Sequence, residues 1–186
     1  VAIDEDLAQE LLEEGQGALV DAPHAHAGEH SAEVQVPFIQ FLFPEARILP
    51  IMMPPSHVVV AAGETIAHTV ARSTREVVTV GTSDLTHYGA RFYGFAPAGT
   101  GEAALEWVRG NDRRVIDLML GLRAEEILPE ANAHHNACGA GAVAATVAAA
   151  RTLGSSHGVL LEYTTSHHVR PQGVASDFVG YTAVVF

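Results

Sequence analysis

The chain has 186 residues, 48% of them apolar, with 22 acidic and ten basic side chains and a formal charge of −12. Such an acidic balance excludes an extended basic surface for nucleic acid or an anionic membrane. All ten basic residues are arginine, so Schiff-base lysines and a phosphate-loop lysine are excluded. No apolar run approaches the roughly 20 residues that span a bilayer. The one cysteine, Cys138, excludes an internal disulfide. A lone thiol suits a reducing compartment, so a cytoplasmic location is expected. The length fits one domain. The chain opens on Val1 rather than Met, in a polar, acidic segment from which no secretory leader is expected. It is expected to be a processed chain or one with further sequence upstream.

Ile3, Leu7, Leu11 and Leu12 recur at helical spacing, which predicts a helix over 1–14 with acidic residues at its start. Residues 15–28 read as a loop. Within it His24 and His26 alternate; they are either solvated loop histidines or, if the segment is extended, two groups able to share a metal. Val34, Phe38, Ile39, Phe41 and Leu42 give an apolar helical face over 29–43, with Ser31 as its cap and Pro37 either kinking it or dividing it. Residues 47–53 predict a buried strand in which Pro50 marks an edge or bulge. A helix over 58–73, capped by Ser56, and a strand over 77–80 complete a βαβ crossover.

Helices are predicted over 102–109, 111–122 and 123–128, the last closed by Pro129. Val115, Leu118 and Met119 form the buried stripe of the second. A long Ala/Val helix covers 142–152, a strand 159–164, a polar loop 166–173 and a final strand 179–186. His57, His68 and His157 are assigned to structure or surface. The loop pair His167 and His168 reads as solvent-exposed or as ligands.

Two points are chemically dense. In Val77 to Gly89, VVTVGTSDLTHYG, a hydrophobic run stops at Gly81 and hands over to Asp84 and His87. That pattern is a buried strand ending in a loop, and ligands in open α/β sheets bind just outside such strand ends. Asp84 and His87 are then either a helix cap and a surface imidazole, or a carboxylate and an imidazole brought to one centre. The aromatic residues Phe92, Tyr93 and Phe95 wall a pocket beside them or pack ordinarily. The second point is His134-His-Asn-Ala-Cys138-Gly. A thiol before a helix feels the positive end of the helix dipole, which favours the metal-binding or nucleophilic thiolate. The competing reading is a small residue that lets the helix pack closely.

Taken in order, EHSAEVQVPF (29–38), GTSDLTHYG (81–89), HNACGAG (135–141) and the C-terminal VGYTAVVF resemble the Memo-like family, the type called AmmeMemoRadiSam system protein B. That family is related in fold to the class III extradiol ring-cleaving dioxygenases. The resemblance implies an α/β three-layer sandwich with a mixed, largely parallel central sheet and a non-haem metal site. It places Cys138 at the family's ligand cysteine, Asp84 and His87 at its Asp-x-x-His pair, and Glu29 and His30 at its Glu-His-Ser block beside the same cleft. The family's two ligand histidines lie in blocks that would fall before Val1. The expected organisation is therefore one Memo-like domain over 1–186 without the family's N-terminal part.

The implied cofactor is a divalent metal: iron, copper or zinc. Histidines with a thiolate leave open positions on such an ion, and thiolate favours softer metals than carboxylate does. His87 is the acid–base candidate, since imidazole titrates near neutrality. Asp84 would orient it, while Tyr88 is assigned to packing. Three functions follow. One is a dioxygenase-like oxidoreductase acting on a small molecule. Another is a non-enzymatic redox-metal binder or protein-partner module. A third is a hydrolase with Cys138 as nucleophile beside His135 or His87.

Overall fold

A computed structural model describes residues 1–15 and 17–186. Its first element is a short strand, β1 (Ala2–Ile3), paired in parallel with β2 (Arg47–Ile48). The Asp4 carboxylate then accepts the Leu7 amide at 3.1 Å and caps α1 (Glu5–Glu14). The predicted N-terminal helix therefore begins later than its apolar spacing suggested. Leu7 and Leu11 are its buried stripe.

The region over 29–43, where Pro37 is expected to kink or divide a helix, is in two parts. A 3-10 turn covers Glu33–Gln35 and α2 covers Val36–Leu42. Pro37 sits in the first turn of α2, where its missing N–H would have had no helical partner. Ser31 is not the cap. The Glu29 carboxylate accepts the Ser31 amide and hydroxyl, and the Ala32 amide at 3.2 Å. Phe38, Phe41 and Leu42 are exposed, so the predicted apolar face has no cover among the described residues.

α3 (Val59–Arg72) appears as predicted, but Ser56 contributes its carbonyl rather than its hydroxyl, accepting the Val59 amide. α3 lies against α6 (Ala140–Thr152). A Cβ on Gly63 would overlap the Ala145 carbonyl, so glycine on one helix and alanine on the other set the close approach.

α4 (Glu102–Leu120) is one helix, not the two predicted with a break near Gly110. Its buried residues, Leu105, Val108, Asn111, Asp112, Val115, Ile116 and Met119, keep steps of three and four through the glycine. Tertiary packing of that stripe outweighs the roughly 1 kcal/mol that an internal glycine costs. α5 (Ala124–His134) likewise continues through Pro129. An internal proline costs about 3 kcal/mol or more; full burial of Ile127, worth about 1.5–3 kcal/mol, offsets much of it. Val59, Ile116, Ile127, Ala144 and Val147 form the centre of the main core.

The second sheet joins β3 (His87–Gly89), β4 (Val159–Thr165) and β5 (Asp177–Val185) in the order β3-β5-β4, antiparallel throughout. The expected polar loop after β4 begins with a turn of helix, α7 (Ser166–Val169), where the Thr165 hydroxyl accepts the His168 amide at 3.2 Å. Leu160, Tyr163 and Val184 face the helical core, whereas Val159, Leu161 and Val185 are exposed.

The chain is thus a mixed α/β protein. Among the described residues, however, its sheets are two small ones, and only the two-residue β1–β2 pairing is parallel. Residues 77–80 are extended and alternate in burial but have no strand partner among the described residues, and the βαβ crossover is not formed. Val78 and Val80 are 78% and 73% exposed. A buried strand needs cover on both faces; here Val77 and Thr79 are part-buried while Val78 and Val80 face outward. Among the described residues no helix is long and apolar enough to cross a membrane.

Candidate metal centre

The site is built where two loops meet. In the first, the Leu85 amide donates to the Gly180 carbonyl at 3.0 Å, and the Gly180 amide donates to the Thr86 carbonyl at 3.0 Å. These bonds attach residues 85–86 to β5 before β3 starts. Leu85 and Thr86 are buried at 1% and 0% exposure, while Asp84 and His87 are only partly buried. The Asp84 Oδ2 and His87 Nε2 atoms lie 3.2 Å apart.

The second loop leaves α5 through His135, which has a left-handed backbone (φ 53°). The Cys138 amide then donates to the Asp84 carbonyl at 3.1 Å. Ser83 fastens the junction: its hydroxyl donates to the Asp84 carbonyl at 2.7 Å and accepts the Gly139 amide at 2.8 Å. Gly139 is needed for this approach, because a Cβ there would stand 2.9 Å from the Thr82 carbonyl oxygen and 3.0 Å from the Ser83 Cβ.

The outcome is that one donor atom each from Asp84, His87 and Cys138 lie within 4.8 Å of one another. Carboxylate, imidazole and thiolate are ligand types shared by zinc, iron and copper. At ordinary metal–ligand lengths, donors around one tetrahedral ion stand roughly 3.3–3.8 Å apart. Donors no more than 4.8 Å apart stand close to that spacing, and their chemistry fits a single ion. The His87 ring lies 5.0 Å from that of Tyr93. Burial, followed by the Asp84 charge, pushes the Tyr181 phenol up from its usual range.

Behind the loops lies a buried polar network. Asp112 accepts the Thr86 amide at 2.9 Å and hydroxyl at 2.5 Å, and the Tyr163 hydroxyl at 2.8 Å. Desolvation lifts the Asp112 carboxyl above the usual range, against the pull of these donors. Burial and the Asp112 charge push the Tyr163 phenol up. Asn111 donates to the Thr86 hydroxyl at 3.0 Å and the His134 carbonyl at 2.9 Å. Asn136 donates to the Asn111 carbonyl at 2.9 Å and to Glu130 at 3.1 Å. The hydrogen bond from Arg114 holds Glu130 below the usual carboxylate range.

Of the residues singled out in the sequence, Asp84, His87 and Cys138 come together. Glu29 and His30 do not join them: Glu29 is engaged in its own turn, and His30 is exposed. His24 and His26 lie exposed on a 3-10 helix. The His135 ring packs 5.5 Å from Phe95, and His168 bonds Thr165 at 2.8 Å. The Cys138 Sγ makes its hydrogen-bond-length contact with the Ser83 hydroxyl at 3.9 Å; a His87 ring nitrogen lies within 4.8 Å of it, without a thiol–imidazole hydrogen bond. Tyr88 is fully buried against Phe178, in keeping with a packing role. A hollow of about 560 Å³ beside Trp107 and Arg114 includes none of the three donor residues.

Sequence reading passed over Ser83, Asn111, Asp112 and Tyr181. Asn111 and Asp112 were legible in principle: they stand three and four residues after Val108 on the apolar stripe. Splitting the helix at that point concealed them. Ser83 and Tyr181 gave no such signal.

A family model described as Memo-like protein matches residues 1–185. A MEMO1 family protein of Methanopyrus kandleri is 33% identical over all of this chain and 61% of its own length. One from Pyrococcus furiosus is 34% identical over all of this chain and 65% of its own length. Another from Methanosarcina acetivorans is 37% identical over 98% of this chain and 64% of its own length. The chain therefore spans less than two thirds of these relatives, and it belongs to the Memo-like family.

Proposed function

We propose that this chain binds a divalent transition metal, iron, copper or zinc, through Asp84, His87 and Cys138, in the manner of a non-haem, dioxygenase-like oxidoreductase. The observation that carries the reading is the convergence of three different donor types within 4.8 Å on loops tied together by the Cys138–Asp84 backbone bond. A bound ion supplies Lewis acidity and, for iron or copper, electron transfer. The chain supplies the rest. Asp84 holds the His87 ring at Nε2 and Tyr93 limits the ring's rotation, while the Ser83 hydroxyl, bonded to the Asp84 carbonyl and the Gly139 amide, keeps the Cys138 loop in place.

A second reading, metal binding without catalysis, is favoured by the openness of the site. The His87 and Asp84 side chains are 36% and 44% exposed, whereas oxidative chemistry gains from excluding water. The thiolate in place of the ring-cleaving enzymes' carboxylate points the same way.

Titration of the metal-free protein with cobalt(II) tests the site. The expected result is one ion per chain with a thiolate-to-cobalt charge-transfer band that Cys138→Ser removes. Unchanged binding in Cys138→Ser and His87→Ala together would sink the reading. Oxygen uptake with a panel of catechols separates enzyme from binder.

A further inference from the structure

We propose that Asn111 and Asp112, neighbours in the middle of α4, are positioning residues that set the separation of the two loops carrying the metal centre. The proposal rests on the metal reading above and adds residues that do not touch the ion. Asp112 holds the first loop from beneath by accepting both the amide and the hydroxyl of Thr86. Thr86 lies between Asp84 and His87, so fixing it fixes the donors on either side. Asn111 holds the second loop. Its amide group donates to the His134 carbonyl, and its own carbonyl accepts the Asn136 side chain; Asn136 is two residues before Cys138.

The two holds are not independent. The Thr86 hydroxyl donates to Asp112 and accepts from Asn111, so one hydroxyl closes the network. Successive side chains on a helix diverge by about 100°, which lets two adjacent residues reach two different loops from one backbone. That backbone is rigid: Val108 and Val115 are fully buried and Ile116 is 1% exposed. Gly180 completes the arrangement, since a Cβ on it would overlap the Asp112 carboxylate. Remove the network and the hydrogen bonds left between the loops among the described residues are those of Cys138, Ser83 and Gly139.

Apolar residues at 111 and 112 would fill the same stripe. Polar ones are costly to bury, but when satisfied they specify one geometry. Asp112 has a donor for each oxygen, and every bond it makes is to a group outside its own helix. A helix-stabilising role would not require that.

The test compares Asn111→Ala, Asp112→Ala and the conservative Asp112→Asn with the wild type in the same chain. Three quantities are measured: cobalt(II) affinity of the folded protein, the urea midpoint, and hydrogen exchange at the Cys138 amide, which bridges the loops. Asp112→Ala and Asn111→Ala are expected to weaken cobalt binding by roughly 10–100-fold and to speed Cys138 amide exchange. Asp112→Asn, whose amide oxygen still accepts from Thr86, should recover most of both. A lower urea midpoint with unchanged cobalt affinity and unchanged Cys138 exchange would show a merely structural role and overturn the proposal. Should Asp112→Ala not fold, Thr86→Val removes the shared hydroxyl at nearly equal volume and is judged by the same criteria. If the wild type binds no cobalt, the metal reading fails by itself. The positioning claim is then decided by Cys138 exchange, with faster exchange sustaining it and unchanged exchange overturning it.

Discussion

The Cys138 amide donates to the Asp84 carbonyl at 3.1 Å across 54 residues of sequence. This single backbone bond joins the loop after α5 to the loop before β3. It leaves the Cys138 thiol on the same side as the Asp84 and His87 side chains. Whatever widens that junction should separate the three donors.

Gly139→Ala is the direct test. The added methyl would meet Thr82 and Ser83 at 2.9–3.1 Å, and two of those three contacts are on groups that hold the junction. Overpacking of this kind costs about 1–3 kcal/mol. A urea titration should show that loss, and cobalt binding should weaken with it.

Gly180→Ala should also destabilise, through a different route. Its methyl would displace the Asp112 carboxylate and leave the buried Thr86 amide without its acceptor, at about 1–3 kcal/mol. Because the damage passes through Asp112, Gly180→Ala added to Asp112→Ala should cost much less than the sum of the two. A double-mutant cycle measured by urea unfolding reads that non-additivity; strict additivity would contradict the account.

Glu130 should make part of the stability sensitive to acid. Its hydrogen bond from Arg114 keeps the folded-state carboxyl below its unfolded value. The stabilisation is then present above the unfolded pKa and lost as pH falls through the folded one, a decline beginning below about pH 5. Glu130→Gln should therefore lower the urea midpoint at pH 7 and have a much smaller effect at pH 3. Asp112 works with the opposite sign: its raised carboxyl favours the folded state more as pH falls. The difference between wild type and Glu130→Gln isolates the first effect.

The exposed apolar residues of the 77–80 segment and of β4 should bind a hydrophobic dye. Val78, Val80 and Leu161 are 78%, 73% and 59% exposed, and exposed apolar surface beyond scattered single residues is unusual. Val78→Thr with Val80→Thr should reduce the dye fluorescence of the 186-residue chain and leave the far-ultraviolet circular dichroism unchanged.

Much of this protein was legible from local pattern. Helical spacing located α1, which buries Leu7 and Leu11; an Ala/Val run marked α6, which is buried on most of its surface; and Pro37 foretold a kink or a division near α2. The Asp-x-x-His spacing pointed to a paired carboxylate and imidazole because both ends of the triplet leave the backbone on one side once its middle is buried. The identity of Cys138 as a small group before a helix was equally plain. Local chemistry mattered in each case, and local chemistry is what a sequence displays.

What only the tertiary structure decided is set by contacts between distant segments. α4 runs through Gly110 and α5 through Pro129 because burial outweighs local propensity. Val77–Val80 has strand alternation but no partner among the described residues, since alternation specifies faces and not neighbours. Glu29 turned out to cap its own turn, using its carboxylate where a hydroxyl was expected. The grouping of Asp84 and His87 with Cys138 depends on hydrogen bonds that span more than 50 residues. Its foundation on Asn111 and Asp112 depends on which loops lie above α4. Residue types determine what chemistry is available to this chain; the packing of α4, α5 and α6 beneath two loops determines where it is assembled.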